Sequence, residues 1–241
     1  MTAVLPLPLV RLGSDRLRAI AEKAGRELEG SRAEDIVAWA VGEFGAQFCV
    51  TSSFADAVLV HLVSRVVPGV DVVFLDTGLH YAETLRVRDS AAKTLPITVL
   101  SVRPERTVGQ QDGEWGPRLW DRDPDQCCWL RKVEPLEEAL RPYDAWAAGL
   151  RRDESPTRAS TPVVGFDAGR GKVKVAPLAR WTEAAVEAYV ARYDVPVNTL
   201  VGEGFKSVGC WPCSRAVKPG EDPRSGRWPL FDKQECGIHA A

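Results

Sequence analysis

The sequence predicts an α/β protein with a parallel sheet flanked by helices and an irregular C-terminal tail. Three observations carry this. Short apolar segments at 47–51, 70–75 and 97–101 are separated by amphipathic stretches of helical length. Their connections are short, as in strand–helix–strand units with right-handed crossovers. After about Val201 the periodicity stops, and Pro212, Pro219, Gly220, Pro223, Gly226 and Pro229 punctuate the rest of the chain.

Residues 14–29 place Leu17, Ile20, Ala21, Ala24 and Leu28 on one helical face. Ser31-Arg-Ala-Glu34 has the spacing of a capping box. It opens a second helix through Ile36, Val37, Ala40 and Phe44, with Gly45 as its stop. The period then changes to that of a strand, 47–51, followed by Ser52-Ser53 and a helix over 54–67. Pro68-Gly69 breaks the chain before a second buried strand, 70–75, which ends in Asp76-Thr77-Gly78. A helix over 81–95 leads to a third strand, 97–101. Residues 103–125 are polar and rich in Gly, Pro and Asp, and read as a long loop. A helix carrying Cys127-Cys128 runs on through Leu130, Val133 and Leu136. A strand over 143–148 leads into Gly149-Leu-Arg-Arg152; a short strand at 173–175 and a helix over 182–192 come next. Parallel sheets bind ligands beyond the carboxyl ends of their strands. That edge here comprises Ser52-Ser53, Asp76-Thr77-Gly78 and Gly149–Arg152.

Hydrophobic content of 45% and charged content of 27% are ordinary for a globular chain of 241 residues. Such a chain builds its core without disulfides. A net charge of −2 points to neither nucleic acid nor a membrane surface. The local balance differs. Arg141–Trp181 holds eight Lys and Arg against four Asp and Glu, whereas residues 1–140 hold sixteen against twenty-one. A cationic block suits a small anionic ligand, although a solvated surface gives the same counts. No apolar run is long enough to span a bilayer. The start, Met-Thr-Ala-Val-Leu-Pro-Leu-Pro, has no basic leader and no small-residue cleavage site. A cytoplasmic protein with reduced thiols is expected.

Ser52-Ser53-Phe-Ala-Asp56 lies between a strand and a helix, where hydroxyls and free backbone N–H groups make an anion site. Taken alone, it reads as a serine cap on an ordinary helix, since it has no glycines and no phosphate-loop lysine. Arg151, Arg152 and Arg158, with Arg224 and Arg227, suit phosphate or sulfate oxygens, which guanidinium groups bind in pairs. Singly, each arginine also fits a surface. Five of the six cysteines fall into three signals: Cys127-Cys128, Cys210-Trp-Pro-Cys213 and Cys236. Cys-x-x-Cys alone fits a redox pair, half a zinc site or part of an iron–sulfur site. Adjacent cysteines are unusual for zinc, while four thiolates suit a cubane with one iron per sulfur. Trp129, Trp211 and Pro212 are expected to shield it. Cys236, near Lys233 and His239 and beside Gly237, has the cationic neighbours that favour a thiolate. Cys49 is expected to fill a strand's core face.

Together these residues resemble the assimilatory adenylyl-sulfate reductases, the cluster-bearing branch of the phosphoadenylyl-sulfate reductase family. The resemblance runs from about Val50 to the C-terminus. It rests on Ser52…Asp56-Ala57, Phe74–Gly78, Cys127-Cys128, Gly149–Ser155, Cys210–Cys213, Arg224–Trp228 and Glu235–His239. It implies a fold like the adenine nucleotide alpha-hydrolases. It also implies an α/β nucleotide-binding reductase unit over 1–205 and, over 206–241, a tail bearing one cluster-ligand pair and the catalytic cysteine. The implied reaction reduces adenosine 5′-phosphosulfate to sulfite and AMP, with thioredoxin as reductant. Cys236 is the implied nucleophile, forming an S-sulfocysteine on a tail that acts as a lid. Cys127, Cys128, Cys210 and Cys213 are the implied ligands of one 4Fe-4S cluster, which supports substrate activation more than electron transfer. Implied substrate contacts are Ser52, Ser53, Asp76, Thr77, Gly78, Arg151, Arg152, Lys174, Arg224, Arg227 and His239, with Lys174 bringing positive charge between cluster and substrate. Many relatives have a glycine-containing loop where this chain has Ser52–Asp56, so the backbone groups that hold the nucleotide are open.

One alternative is reduction of phosphoadenylyl sulfate, or of both nucleotides. Cluster-free relatives that use the 3′-phosphorylated substrate lack the two cysteine pairs. A more remote one, an ATP-dependent iron–sulfur tRNA thiolase, wants a glycine-rich loop and a basic surface. A metal-stabilised interaction module leaves Cys236 unexplained.

Overall fold

Six strands make one sheet in the computed structural model, which describes residues 11–233 and 235–239. They are β1 (Phe48–Thr51), β2 (Val70–Leu75), β3 (Ile97–Val102), β4 (Ala145–Ala147), β5 (Val164–Asp167) and β6 (Lys172–Val175). Their order is β3-β2-β1-β4-β6-β5. All pairings are parallel except β5 on β6. β1 is central, with Val50 opposite Val72 on one side and Ala147 on the other. Parallel strands must be covered on both faces, so they read as apolar runs. Phe48, Cys49 and Val50 are buried, as is all of β4. Cys49 is fully buried, as expected of a core-filling thiol.

The helices are α1 (Ser14–Glu27), α2 (Ala33–Phe44), α3 (Val58–Val66), α4 (Ala82–Thr94), α5 (Val108–Trp115), α6 (Pro124–Cys128), α7 (Glu134–Ala139), α8 (Glu183–Tyr193) and α9 (Thr199–Gly202). A π-helical stretch, Trp129–Val133, joins α6 to α7. Ile36, Leu62, Phe74, Leu136, Leu140 and Trp146 lie at the centre of the core. Truncating Trp146 to alanine would cost about 3–5 kcal/mol.

The sheet and most helices match the sequence-based expectation, and four local expectations are corrected. Ser31 does not cap α2. The cap position is Arg32, and its Nε–Asp35 Oδ2 bond of 2.9 Å steadies the first turn instead. α3 starts at Val58, not at 54, because Asp56 Oδ1 accepts from Val58 N at 2.9 Å and Phe54 adopts a φ of 52°. The stretch 103–125 is not a loop. Thr107 and Gln110 form a capping box that opens α5, and Asp123 caps α6. β5 has no counterpart in the sequence pattern; it is a short edge strand held antiparallel by β6. Among the described residues no helix is long and apolar enough to cross a membrane. The apolar start of the chain, residues 1–10, and Gln234 in the terminal cysteine motif lie outside the described residues.

Candidate functional site

β1 runs on to β2 at one side and has β4 at the other, so the chain changes direction across the sheet beside β1. Open α/β sheets leave a crevice at such a point, beyond the strands' carboxyl ends. A cavity of about 560 Å³ lies there. Ser52 and Ser53 after β1, Thr77 after β2 and Arg151 after β4 line it. The tail closes it with Cys210, Arg224, Arg227, Glu235, Cys236 and His239.

The strand-end turns are built locally. Asp76 Oδ1 accepts from Gly78 N at 3.3 Å, and Gly78 has a φ of 71°, which glycine adopts without strain. Thr77 Oγ1 accepts from Leu79 N at 3.2 Å and lies 3.4 Å from Cys210 Sγ. Leu79 O accepts from Trp211 N at 2.8 Å, and His80 bridges Cys210. The turn after β2 is thereby zipped to the Cys210-Trp-Pro-Cys213 segment. Asp76 and Gly78 shape this turn from outside the cavity lining, with Asp76 Oδ2 3.2 Å from Arg103 Nε.

Four thiols share one apolar cluster. Cys127, Cys128, Cys210 and Cys213 are buried with Leu79, Leu119, Trp120 and Trp228, and Cys236 packs against them. The expected shielding by Trp129 and Trp211 is corrected: both rings are about half exposed, at 46% and 49%, and Trp120 and Trp228 do the covering. Burial pushes the Cys127 and Cys213 thiols up to about 12. Burial also raises Cys210, but the Lys132 ammonium and the Thr77 hydroxyl outweigh it and hold that thiol below its ordinary value. Among the described residues no three Cys, His, Asp or Glu side chains close around a single ion.

Lys132 is the residue that sequence reasoning missed. It is buried, lines the cavity and puts its ammonium charge beside Cys210. Burial alone would lower its pKa. The sulfurs of Cys210, Cys236 and Cys128 reverse that and raise its pKa. A signal was present: on a helix, residues i and i+4 share a face, and Lys132 follows Cys128 by four. Arg131 follows Cys127 in the same way. Its Nε donates to Thr77 O at 2.5 Å and its Nη1 to Gln111 Oε1 at 3.0 Å.

The cationic residues divide. Arg152 leaves the cavity; it forms a two-pronged pair with Glu29, at 2.7 and 3.0 Å, and its Nε donates to Thr161 O at 2.8 Å. Lys174 is also outside the lining, 5.1 Å from the centroid of the Trp146 ring, whereas Lys132 lines the cavity. Burial lowers Lys174 to about 8. Arg151 Nη1, Arg227 Nε and His239 Nδ1 are buried without a hydrogen-bond partner. The His239 ring stacks on Trp146 at 5.9 Å and 11°. Burial, then Lys174 and nearby arginines, hold it neutral far below its ordinary value. Arg227 lies against Gly209: a Cβ there would come within 2.3 Å of Nη2, so a larger residue would push the guanidinium aside. The arrangement offers a thiol, two guanidinium groups and a buried ammonium around one cavity.

The phosphoadenosine phosphosulfate reductase domain model matches residues 47–216. An adenosine 5′-phosphosulfate reductase of Streptomyces coelicolor is 56% identical over 226 residues, 94% of this chain and 96% of the relative. One from Mycolicibacterium smegmatis is 46% identical over 227 residues, with the same coverage of 94% and 96%. Among solved structures, the phosphoadenylyl-sulfate reductase of Candida auris in a phosphate complex superposes with a TM-score of 0.71. It is 25% identical and covers 86% of this chain and 99% of that one. With the two cysteine pairs gathered in one apolar cluster, and Cys210 and Cys236 reaching the cavity beside it, this chain belongs to the phosphoadenosine phosphosulfate reductase domain family, among the adenosine 5′-phosphosulfate reductases.

Proposed function

We propose that this protein reduces adenosine 5′-phosphosulfate to sulfite and AMP in sulfate assimilation, with Cys236 as the nucleophile. The observation that carries the reading is the convergence of Cys236 with Arg151, Arg227 and His239 on the lining of one cavity. A sulfate sulfur is screened by anionic oxygens. Donors fixed around the phosphosulfate lower that repulsion without reorganising during the reaction. Ser52 and Ser53 lie where the nucleotide end would sit, and Thr77 joins that end to the thiols.

The Cys236 thiolate attacks the sulfate sulfur. An S–S bond forms to give the S-sulfocysteine, the S–O bond to AMP breaks, and AMP leaves with the electron pair. A thiolate of thioredoxin then attacks the Cys236 sulfur and expels sulfite, following thiol–disulfide exchange. The second thiol of thioredoxin resolves the mixed disulfide and supplies the remainder of the two electrons. The first step needs Cys236 covered and the second needs it exposed. The 206–241 tail would therefore work as a lid on a single domain.

Cys127, Cys128, Cys210 and Cys213 would hold a 4Fe-4S cluster. Their chemistry fits: all four donors are soft sulfurs gathered in one apolar pocket. When bound, such a group supplies a polarisable centre of charge next to Lys132 and keeps the four sulfurs as thiolates. Clustered thiols without disulfides support a cytoplasmic, reducing setting.

The test is sulfite release with thioredoxin, comparing adenosine 5′-phosphosulfate with its 3′-phosphorylated form, alongside intact mass after substrate alone. The unphosphorylated nucleotide should react faster, and Cys236→Ser should bind it without gaining a sulfo group. An adduct on another cysteine would remove Cys236 from the role, and equal rates would remove the substrate preference.

A further inference from the structure

The tail is held over the cavity by contacts of different kinds. Lys233 pairs with Asp125, Arg170 Nη1 donates to Ile238 O at 3.1 Å, and His239 stacks on Trp146. The contact next to Cys236 is made by Glu235. Arg158 Nε and Nη2 donate to its two carboxylate oxygens at 2.8 and 3.0 Å. Arg224 Nη2 lies 3.3 Å from Oε2. Arg158 Nη1 is taken by Glu154. Arg158 is therefore engaged by two carboxylates, whereas Arg151 Nη1 and Arg227 Nε, on residues that line the same cavity, have no hydrogen-bond partner. Arg158 serves the protein's own tail, while Arg151 and Arg227 keep donors for a ligand.

We propose that Glu235 is the positioning residue for the Cys236 thiol, clamping the tail to Arg158 so that the sulfur sits over the cavity. Opening of that clamp presents the thiol to its reductant. A two-pronged carboxylate–guanidinium pair fixes orientation as well as distance, which a single contact does not. Both partners are largely buried, with side chains 14% and 23% exposed, so solvent screens the pair little. On the other side of Cys236 the chain turns at Gly237 with a φ of 83°, and a Cβ there would sit 3.2 Å from Val133 Cγ2. Cys236 is thus held between a fixed carboxylate and a turn seated on the π-helical stretch.

The inference rests on the role proposed for Cys236, so its test has a readout that does not need turnover. In the metal-loaded protein without substrate, the rate of Cys236 alkylation by iodoacetamide is followed by peptide mass. Glu235→Gln should raise it about tenfold, the scale of one lost charged hydrogen bond. The same variant should form the sulfo-adduct about tenfold more slowly in a single turnover, with AMP affinity within about twofold of the parent. Glu235→Asp should recover part of both rates, and the reversed pair Glu235→Arg with Arg158→Glu should recover more than either change alone. Alkylation unchanged in Glu235→Gln overturns the proposal. So does AMP affinity falling in step with adduct formation, which would make Glu235 part of the ligand site. If the parent forms no adduct on Cys236, the functional reading fails while the alkylation rates still judge the clamp.

Discussion

Replacing Lys132 with methionine keeps the stem and removes the charge at the point where the thiols meet the cavity. Its magnitude follows from placement. The ammonium is buried, its charge acts on Cys210, and the residue lines the space where the phosphosulfate would bind. At about 5 Å and an effective dielectric of about 20, a unit charge there is worth about 3 kcal/mol. If that attraction is felt mainly in the transition state, the chemical step should slow about a hundredfold. The assay is single-turnover formation of the sulfo-adduct, with iron content and thermal stability measured on the same preparation. A rate within about threefold of the parent at full iron would refute this role for the charge. Loss of iron in proportion to loss of rate would refute it differently, since the lysine would then serve only the metal centre.

Three further outcomes are expected. Lys174 is held at about 8 by burial, against an ordinary 10.5, so its charged form is penalised in the fold. That penalty is full below pH 8 and fades as the pH rises toward 10.5; Lys174→Met should stabilise the protein at pH 7 by up to about 3 kcal/mol, and by little near pH 10. Equal denaturation curves at both pH values would contradict this. Gly209→Ala should displace Arg227, whose Nη2 would lie 2.3 Å from the new methyl, and raise KM about tenfold with a small change in Tm. An unchanged KM would mean that Arg227 does not hold substrate. Cys127→Ser and Cys213→Ser should each lower iron from about four per chain and bleach the visible absorbance; stoichiometric zinc in active parent protein would sink the cluster reading.

The apolar runs of β1, β2 and β3 and the Pro- and Gly-rich tail are legible because strand burial and helix-breaking residues leave local marks. α5 is hidden by its composition. Gly109, Asp112 and Gly113 make the segment look like a loop, although Thr107 and Gln110 carry the capping signal. Ser31 shows the reverse, a capping pattern that is present and unused. β5 escapes a sequence reading because an edge strand of four residues owes its form to β6, a contact distant from any local pattern. The thiol grouping is readable as spacing, yet spacing does not say which lysine accompanies it. Lys174 draws attention because it comes after the arginine block. Lys132 has the position because a helix carries it one turn beyond Cys128.

That helix explains why one segment can serve three bodies at once. Regular α-helix advances 100° per residue, so Arg131, Lys132 and Val133 span too wide an arc to face one neighbour. All three are nonetheless buried. Each meets a different partner: Arg131 the turn at Thr77, Lys132 the thiols and cavity, Val133 the tail turn at Gly237. The π-helical stretch lies across these residues, and such widened turns are tolerated mostly where function holds them. Cys127 and Cys128 enter this segment from α6, so the adjacent cysteine pair, the buried cation and the seat of the tail are set by one continuous backbone. A shift in the thiol cluster would move Lys132 and the floor under Cys236 together. If the four thiols hold the proposed cluster, its coupling to Cys236 would be mechanical as well as electrostatic, and losing it should loosen the tail even where Glu235 and Arg158 are intact.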